Sequence, residues 1–371
     1  MAEGDKIVPE SSVVATAGRR RRLRTFLGKL MLLGIALVAA GAVAEAMVRL
    51  ARPGFPGFRL PQIEHEPVQG LGFAMVPNQT GYTVSSKVTI NSAGFRGPEI
   101  RTPRRGLRVF SLGDSITFGV GVDDDVPYPR QLEALLKSEW PQLEPEVING
   151  GVQRYFTYQE VEQLKRYGPH LKPDIVTLAV YPNDLGERPE GDFTREYENE
   201  REQAATSFRR RMPYLYVAAK NSAALELAKL VYLSRGEREN VIAHAYRGVA
   251  TPRDERRWKG FERELESFAA ETTNAGYERV VIVIPAARQV IDDLPGSLYP
   301  NRVLEMCERF GLRAVSVLER FKASHRAGAD PYLPWDGHLS HTGHRIVAEA
   351  ARDEILRIRT SAASAHQATP R

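Results

Sequence analysis

Three apolar runs, "LRVFSL" at 107–112, "DIVTLAVY" at 174–181 and "RVVIVIP" at 279–285, constrain this 371-residue chain more than any other feature. They lack the alternation of a strand with one wet face, so each must be covered on both sides. Between them lie helical patterns: "YPRQLEALLKSEW" (128–140), with Leu132, Leu135 and Leu136 on one face, and "TYQEVEQLKRY" (157–167). A third, "DERRWKGFERELESFAAETTNAG" (254–276), closes on a C-cap glycine. A short strand at 145–149, a helix at 300–310, a strand around 313–317 and a last helix at 344–358 complete the series. Strands alternating with helices of this length specify an α/β fold, a three-layer doubly wound mainly parallel sheet of the flavodoxin-like kind.

Residues 186–253 break the alternation with a charged stretch followed by an aromatic, partly helical one. In a doubly wound fold an insert of this kind follows a strand's C-terminal end, where ligands bind. We read it as a cap or partner-facing subdomain, with a surface excursion as the alternative. Upstream, "GYTV" (81–84) and "KVTI" (87–90) alternate as one or two short strands within a linker and β leader spanning 49–106. Residues 358–371 read as a flexible tail.

The net charge of +5 is concentrated in "RRRRLR" at 19–24, within a basic tail of residues 1–25 that reads as disordered. Such a run can mark nucleic-acid binding, but here it directly precedes the apolar segment 26–48, which favours a membrane. As one helix, those residues rise roughly 34 Å, enough to span a bilayer. The arginines on its N-terminal side imply a cytoplasmic N-terminus, with the remainder periplasmic or extracellular. A cleaved signal peptide is the competing reading, because "AVAEA" (42–46) supplies small residues. Glu45 and Arg49, at i and i+4, instead read as one continuing helix, so the single-pass anchor is preferred. A single cysteine, Cys307, excludes an intrachain disulfide.

The chemistry-bearing residues sit just beyond the strands. "FSLGDSITFGVGV" (110–122) places Ser115 in a tight Gly-Asp-Ser turn between strand and helix, where its hydroxyl is exposed at the sheet edge. A hydroxyl is a weak nucleophile until a base takes its proton. The N–H of Ser115, that of Gly151 in "VINGGV" (147–152) and the amide of Asn183 in "AVYPNDL" (179–185) are donors of the kind an oxyanion hole needs. Taken alone, Gly151 and Asn183 are equally turn residues. In "PWDGHLSHTGHRIVAEA" (334–350), Asp336 and His338 precede a helix, and a carboxylate near an imidazole fixes its tautomer. His338, His341 and His344, spaced three and three, lack the i, i+4 geometry and acidic partner of a helical zinc pair. We therefore expect no metal and no cofactor, and place His341 and His344 at the helix N-terminus or surface.

These four segments, in this order, resemble the SGNH hydrolases, also called GDSL-like lipases and esterases, in a membrane-anchored bacterial form. The resemblance covers roughly 107–357, with the insert unmatched. It implies that Ser115 is the nucleophile, that Asp336 and His338 complete the triad, and that Gly151 and Asn183 join the Ser115 N–H in the oxyanion hole. The last block departs from the commonest pattern: Asp336-Gly-His338 is one residue shorter than Asp-x-x-His. "NSAGFRGPE" (91–99) resembles the leader of anchored members, and Arg96 within it would serve as a structural clamp.

The resulting expectation is a serine esterase acting outside the cytoplasm on O-acyl, chiefly O-acetyl, esters of a small molecule or a cell-surface or exported polysaccharide. An O-acyltransferase using the same acyl-enzyme is the alternative, and a non-catalytic glycan-binding or assembly protein the second. No nucleic-acid partner is expected.

Overall fold

The structure, a computed structural model, describes residues 10–51, 57–185, 194, 197, 211–236, 252–292, 298–334 and 337–367. The chain divides into two compact units, Met1–Phe55 with Ser222–Val231, and Pro56–Asn221 with Tyr232–Arg371. Most of the smaller unit is one helix, α1 (Glu10–Ala51). It starts at Glu10, so the arginine run is helical rather than part of a disordered tail. Arginine and alanine are good helix formers, and propagation from an existing helix avoids the nucleation cost. From Arg24 to Ala51 the helix is long and apolar enough to cross a membrane, and none of that stretch is buried within the protein.

The larger unit opens with two antiparallel hairpins, β1 (His65–Val68) with β2 (Gly72–Met75) and β3 (Gln79–Thr83) with β4 (Ser86–Ile90). The central sheet has five parallel strands: β5 (Arg108–Leu112), β6 (Glu146–Asn149), β7 (Ile175–Val180), β8 (Glu278–Val283) and β9 (Ala314–Ser316). Their order is β6-β5-β7-β8-β9. Chain order therefore reverses between β5 and β7, and a crevice opens there outside the strands' carboxyl ends.

The apolar runs work as two-sided strands. Val109, Ile175, Val280 and Ile282 enter one core layer, while Phe110, Val176, Val281 and Val283 enter the other. The first layer lies under α3 (Tyr128–Glu139), α10 (Leu318–Arg326) and α11 (His341–Gln367), through Leu132, Leu136, Phe321, Val347 and Ile355. The second lies under α4 (Thr157–Leu171), α7 (Pro252–Ala275) and α9 (Leu298–Arg309), through Val161, Leu164, Phe261, Phe268 and Val303. Two further short helices, α2 (Ser115–Phe118) and α8 (Ala287–Ile291), follow β5 and β8. The two described helices of the insert are α5 (Pro213–Lys220) and α6 (Ala223–Gly236); most of the rest of 186–253 lies outside the described residues.

One expectation needs correcting. The last helix begins at His341 and runs to Gln367, so residues 358–367 are helical, as their alanine-rich composition favours, instead of a flexible tail. The leader carries the short strands expected at 81–84 and 87–90, as β3 and β4, and adds the hairpin of β1 and β2. Phe73, Met75, Val88 and Ile90 from its hairpins form a third core with Phe118, Val120, Val152 and Tyr155, which belong to the loops at the crevice. The leader is thus a wall against which those loops are packed.

Candidate active site

The turn after β5 is dictated by close approach. Gly113 has φ +151°, and a Cβ there would lie 2.0 Å from Thr117 Oγ1, so only glycine fits. Asp114 then caps α2, its Oδ1 accepting Ile116 N–H at 2.8 Å. Ser115 becomes the first residue of that helix, half-buried, with an N–H that has no acceptor within the helix.

His338 reaches the serine from the loop before α11. Its Nε2 lies 2.9 Å from Ser115 Oγ, joining groups 223 residues apart in the chain. That loop is pinned by Leu333 N–H donating to His338 O at 2.8 Å and Ser340 N–H to Pro331 O at 2.9 Å. Tyr332 Oη donates to Pro285 O at 2.5 Å. Asp336, expected as the carboxylate partner, lies outside the described residues.

Asn183 sits in a single 3-10 turn (Pro182–Leu185) beyond β7, and its Nδ2 donates to Asp114 Oδ2 at 2.7 Å. That bond uses one of the two amide hydrogens. Asp114 Oδ2 is also 3.4 Å from Ser115 Oγ, a weaker contact than the imidazole makes. Gly151 is placed differently from expectation. Its N–H donates to Asn149 Oδ1 at 3.0 Å, because the Asn-Gly-Gly turn closes on its own side chain. Gly151 is required for packing instead, since a Cβ there would lie 2.1 Å from Phe118 N.

Sequence reasoning missed the residues behind this edge. Asp114, Glu160 and Asp184 are all buried. Burial pushes Asp114 upward, against the bonds from Asn183 and Ile116. Glu160 is raised well above the usual carboxylate range by burial and then by the charges of Asp184 and Asp114. Asp184 is raised by burial and by Asp114, although Tyr181 N–H donates to it at 2.7 Å. Neither carboxyl oxygen of Glu160 has a hydrogen-bond partner among the described residues. A neutral, protonated Glu160 is the form such a site favours. Its one signal in sequence is a glutamate at a position of α4 that points to the sheet, beside Val161 and Leu164.

Two arginines frame the same edge. Arg96 is the clamp expected of it: Nη1 donates to Phe118 O at 2.8 Å and Gly119 O at 2.5 Å, Nη2 to Val122 O at 2.7 Å, and Nε to Asp124 Oδ1 at 3.1 Å. Arg154 occupies the third position of the Val152–Tyr155 turn with φ +71°, which costs an ordinary residue about 1 kcal/mol or more. Val152 N–H donates to Gly113 O at 3.1 Å, tying that turn to the serine's own.

The histidines differ in surroundings. His341 is exposed at the start of α11, whereas His344, expected at the helix end or surface, is buried, its Nδ1 accepting Tyr128 N–H at 3.2 Å. Burial, with the charge of Arg96, lowers its pKa to about 3. His344 shares the buried face of α11 with Val347, Ala348 and Ala351, three, four and seven positions on, and so points inward. Among the described residues, no cluster of histidine, cysteine and acidic side chains is able to hold a metal.

An activated hydroxyl with amide donors beside it is the equipment of acyl transfer. Among solved structures, the chain is similar to an acetylxylan esterase from Geobacillus stearothermophilus (18% identity, 69% of this chain and 96% of that one, TM-score 0.39). It is also similar to a lipase/acylhydrolase from Enterococcus faecalis (15%, 67% and 95%, TM-score 0.38). A third is an α/β hydrolase enzyme from the Lake Arreo metagenome (18%, 66% and 93%, TM-score 0.41). No curated protein matches the chain. Residues 111–346, which run from the strand before Ser115 to the helix after His338, match the GDSL-like Lipase/Acylhydrolase family. With nearly two-thirds of its length matched, the chain belongs to that family and is a hydrolase acting on ester bonds.

Proposed function

We propose that the protein hydrolyses O-acyl esters, O-acetyl esters in particular, of a cell-surface or exported polysaccharide, through an acyl-enzyme on Ser115. The observation that carries this reading is the 2.9 Å separation of His338 Nε2 and Ser115 Oγ. His338 takes the hydroxyl proton as Oγ bonds to the ester carbonyl carbon. The resulting oxyanion is held by Ser115 N–H and by the Asn183 Nδ2 hydrogen that Asp114 does not engage. Collapse breaks the bond to the alcohol, which leaves with the proton from His338. Water then attacks the acyl group by the same route, releasing the acid and restoring Ser115.

Asp336 orients the ring and balances the imidazolium charge. Gly151 enters the hole only by exchanging its bond to Asn149, so the two-donor hole is the version the geometry supports. The apolar part of α1 is read as a retained single-pass anchor with a cytoplasmic N-terminus, which puts the catalytic domain outside. The arginine run before the span supports that orientation.

The test is turnover of p-nitrophenyl acetate by the full chain in detergent. Ser115→Ala should lower kcat by about 10⁴-fold or more and block labelling by a fluorophosphonate. Unchanged turnover in that variant refutes the mechanism.

A further inference from the structure

The apolar stretch 24–51 contains one acidic side chain, Glu45. A lone carboxylate within such a helix costs about 3 kcal/mol at the centre of a bilayer, less toward its edge. Counting from Arg24, Glu45 lies roughly 32 Å along the helix, at the far boundary of a hydrocarbon core about 30 Å thick. There it is not left to water. Oε1 accepts Arg49 Nε at 2.7 Å and Ala223 N–H at 3.0 Å. Oε2 accepts Ser222 Oγ at 2.9 Å and Ala224 N–H at 3.1 Å.

Ala223 and Ala224 open α6, and Ser222 caps it, its Oγ accepting Leu225 N–H at 3.2 Å. The carboxylate therefore occupies the positive end of a 14-residue helix, where orphan N–H groups and the helix dipole both favour an anion. Around Glu45 the anchor's surface is covered on one side only: Ala44, Glu45 and Val48 are partly covered, whereas Met47 is 59% exposed and Leu50 84%. On α6, Leu225 is 56% exposed. The sequence of α6, "AALELAKLVYLSRG", carries Leu225, Leu227, Leu230, Val231, Tyr232 and Leu233, and its one carboxylate, Glu226, pairs with Lys229 at 3.5 Å.

We propose that α6 is a membrane-interface helix fastened to the anchor through Glu45, with Leu225 facing the lipid headgroup and acyl boundary. The inference rests on the reading of α1 as a retained anchor. It adds a second element to the membrane contact and gives the charged residue at the edge of the span a function. Cleavage that removed residues 1–45 would leave the start of α6 without its acceptor.

The experiment uses the full chain in phosphatidylcholine vesicles, with an environment-sensitive fluorophore at L225C in a C307A background. The same label at A327C, an exposed site on the catalytic domain, is the reference. Intact mass establishes first whether residues 1–45 are retained, and their loss overturns both the anchor and this inference. With the segment retained, we expect nitroxide-labelled lipid to quench the 225 label several-fold more than the 327 label, and aqueous iodide to do the reverse. Equal iodide quenching at both sites overturns the inference and leaves the anchor standing.

Glu45→Ala should shift the 225 label toward iodide while the protein stays with the vesicles. Ser222→Ala should do so more weakly, and turnover of p-nitrophenyl acetate reports that each variant is folded. Unchanged lipid quenching in Glu45→Ala refutes the tether.

Discussion

Replacing Arg96 with methionine keeps most of the side chain's volume and removes every hydrogen bond it makes. In the native protein the guanidinium serves the carbonyls of Phe118, Gly119 and Val122, and its side chain is only 1% exposed. After the substitution Gly119 and Val122 lose the donor that Arg96 supplied, and Phe118 keeps only Asn149 Nδ2 at 3.4 Å. A buried acceptor left unpaired costs about 1–3 kcal/mol. The low end applies here, because burial already penalises the charge and holds the Arg96 pKa down to about 10. The expected loss of stability is thus about 2–3 kcal/mol in total.

The effect on rate should exceed what that loss implies. Phe118 ends the four-residue helix that begins at Ser115, so slack at one end moves the other. A displacement of about 1 Å at a reacting atom lowers kcat about 10²-fold. Urea denaturation gives the first quantity, and steady-state turnover at a temperature where R96M is fully folded gives the second. An unfolding free energy within about 1 kcal/mol of the native value, together with unchanged kcat, would refute the claim that this clamp positions the serine.

Two further predictions concern pH. The raised pKa of Glu160 means that its protonated form favours the fold below the usual carboxylate range, and that this contribution is lost as pH rises through the elevated value. Glu160→Gln does not titrate, so its melting temperature relative to the native protein should climb between pH 4.5 and pH 8; a constant difference contradicts the buried-acid reading. His344 has the opposite sign: with its pKa lowered to about 3, its contribution is complete above about 6.5 and is lost as pH falls. His344→Asn keeps an acceptor for Tyr128 and should remove about 2 kcal/mol of the native protein's loss between pH 7 and pH 5, read from urea midpoints. Parallel curves for the two proteins would contradict it.

What the sequence reveals depends on whether a residue's role is local. β5, β7 and β8 are continuous apolar runs and are legible as two-sided strands without reference to anything distant. The hairpin of β1 and β2 is not: "HEPV" and "GFAM" carry no period, and they are held by distant groups, among them Tyr155 Oη, which donates to Phe73 O. The same division runs through the site. Gly113 and Ser115 announce themselves by a glycine turn after a strand. Asp114 reads as a turn residue, and its bond to Asn183, 69 positions away, has no trace in either segment. Arg154 stands where a turn of that shape usually takes glycine or asparagine, so no compositional signal marks it. Gly151 shows the converse: the local pattern suggests an amide free to donate, while the side chain two residues earlier already accepts it.

The distance in sequence between the serine and its imidazole has a consequence for a chain still being made. Ser115 is complete, with its strand and its cap, long before the ribosome reaches His338. A nascent or prematurely terminated polypeptide therefore holds an ordinary alcohol at that position, no more reactive toward esters than any other serine. On the proposed mechanism, only docking of the His338 loop against the sheet edge turns it into a reagent, so ester chemistry waits until that loop has been made and folded.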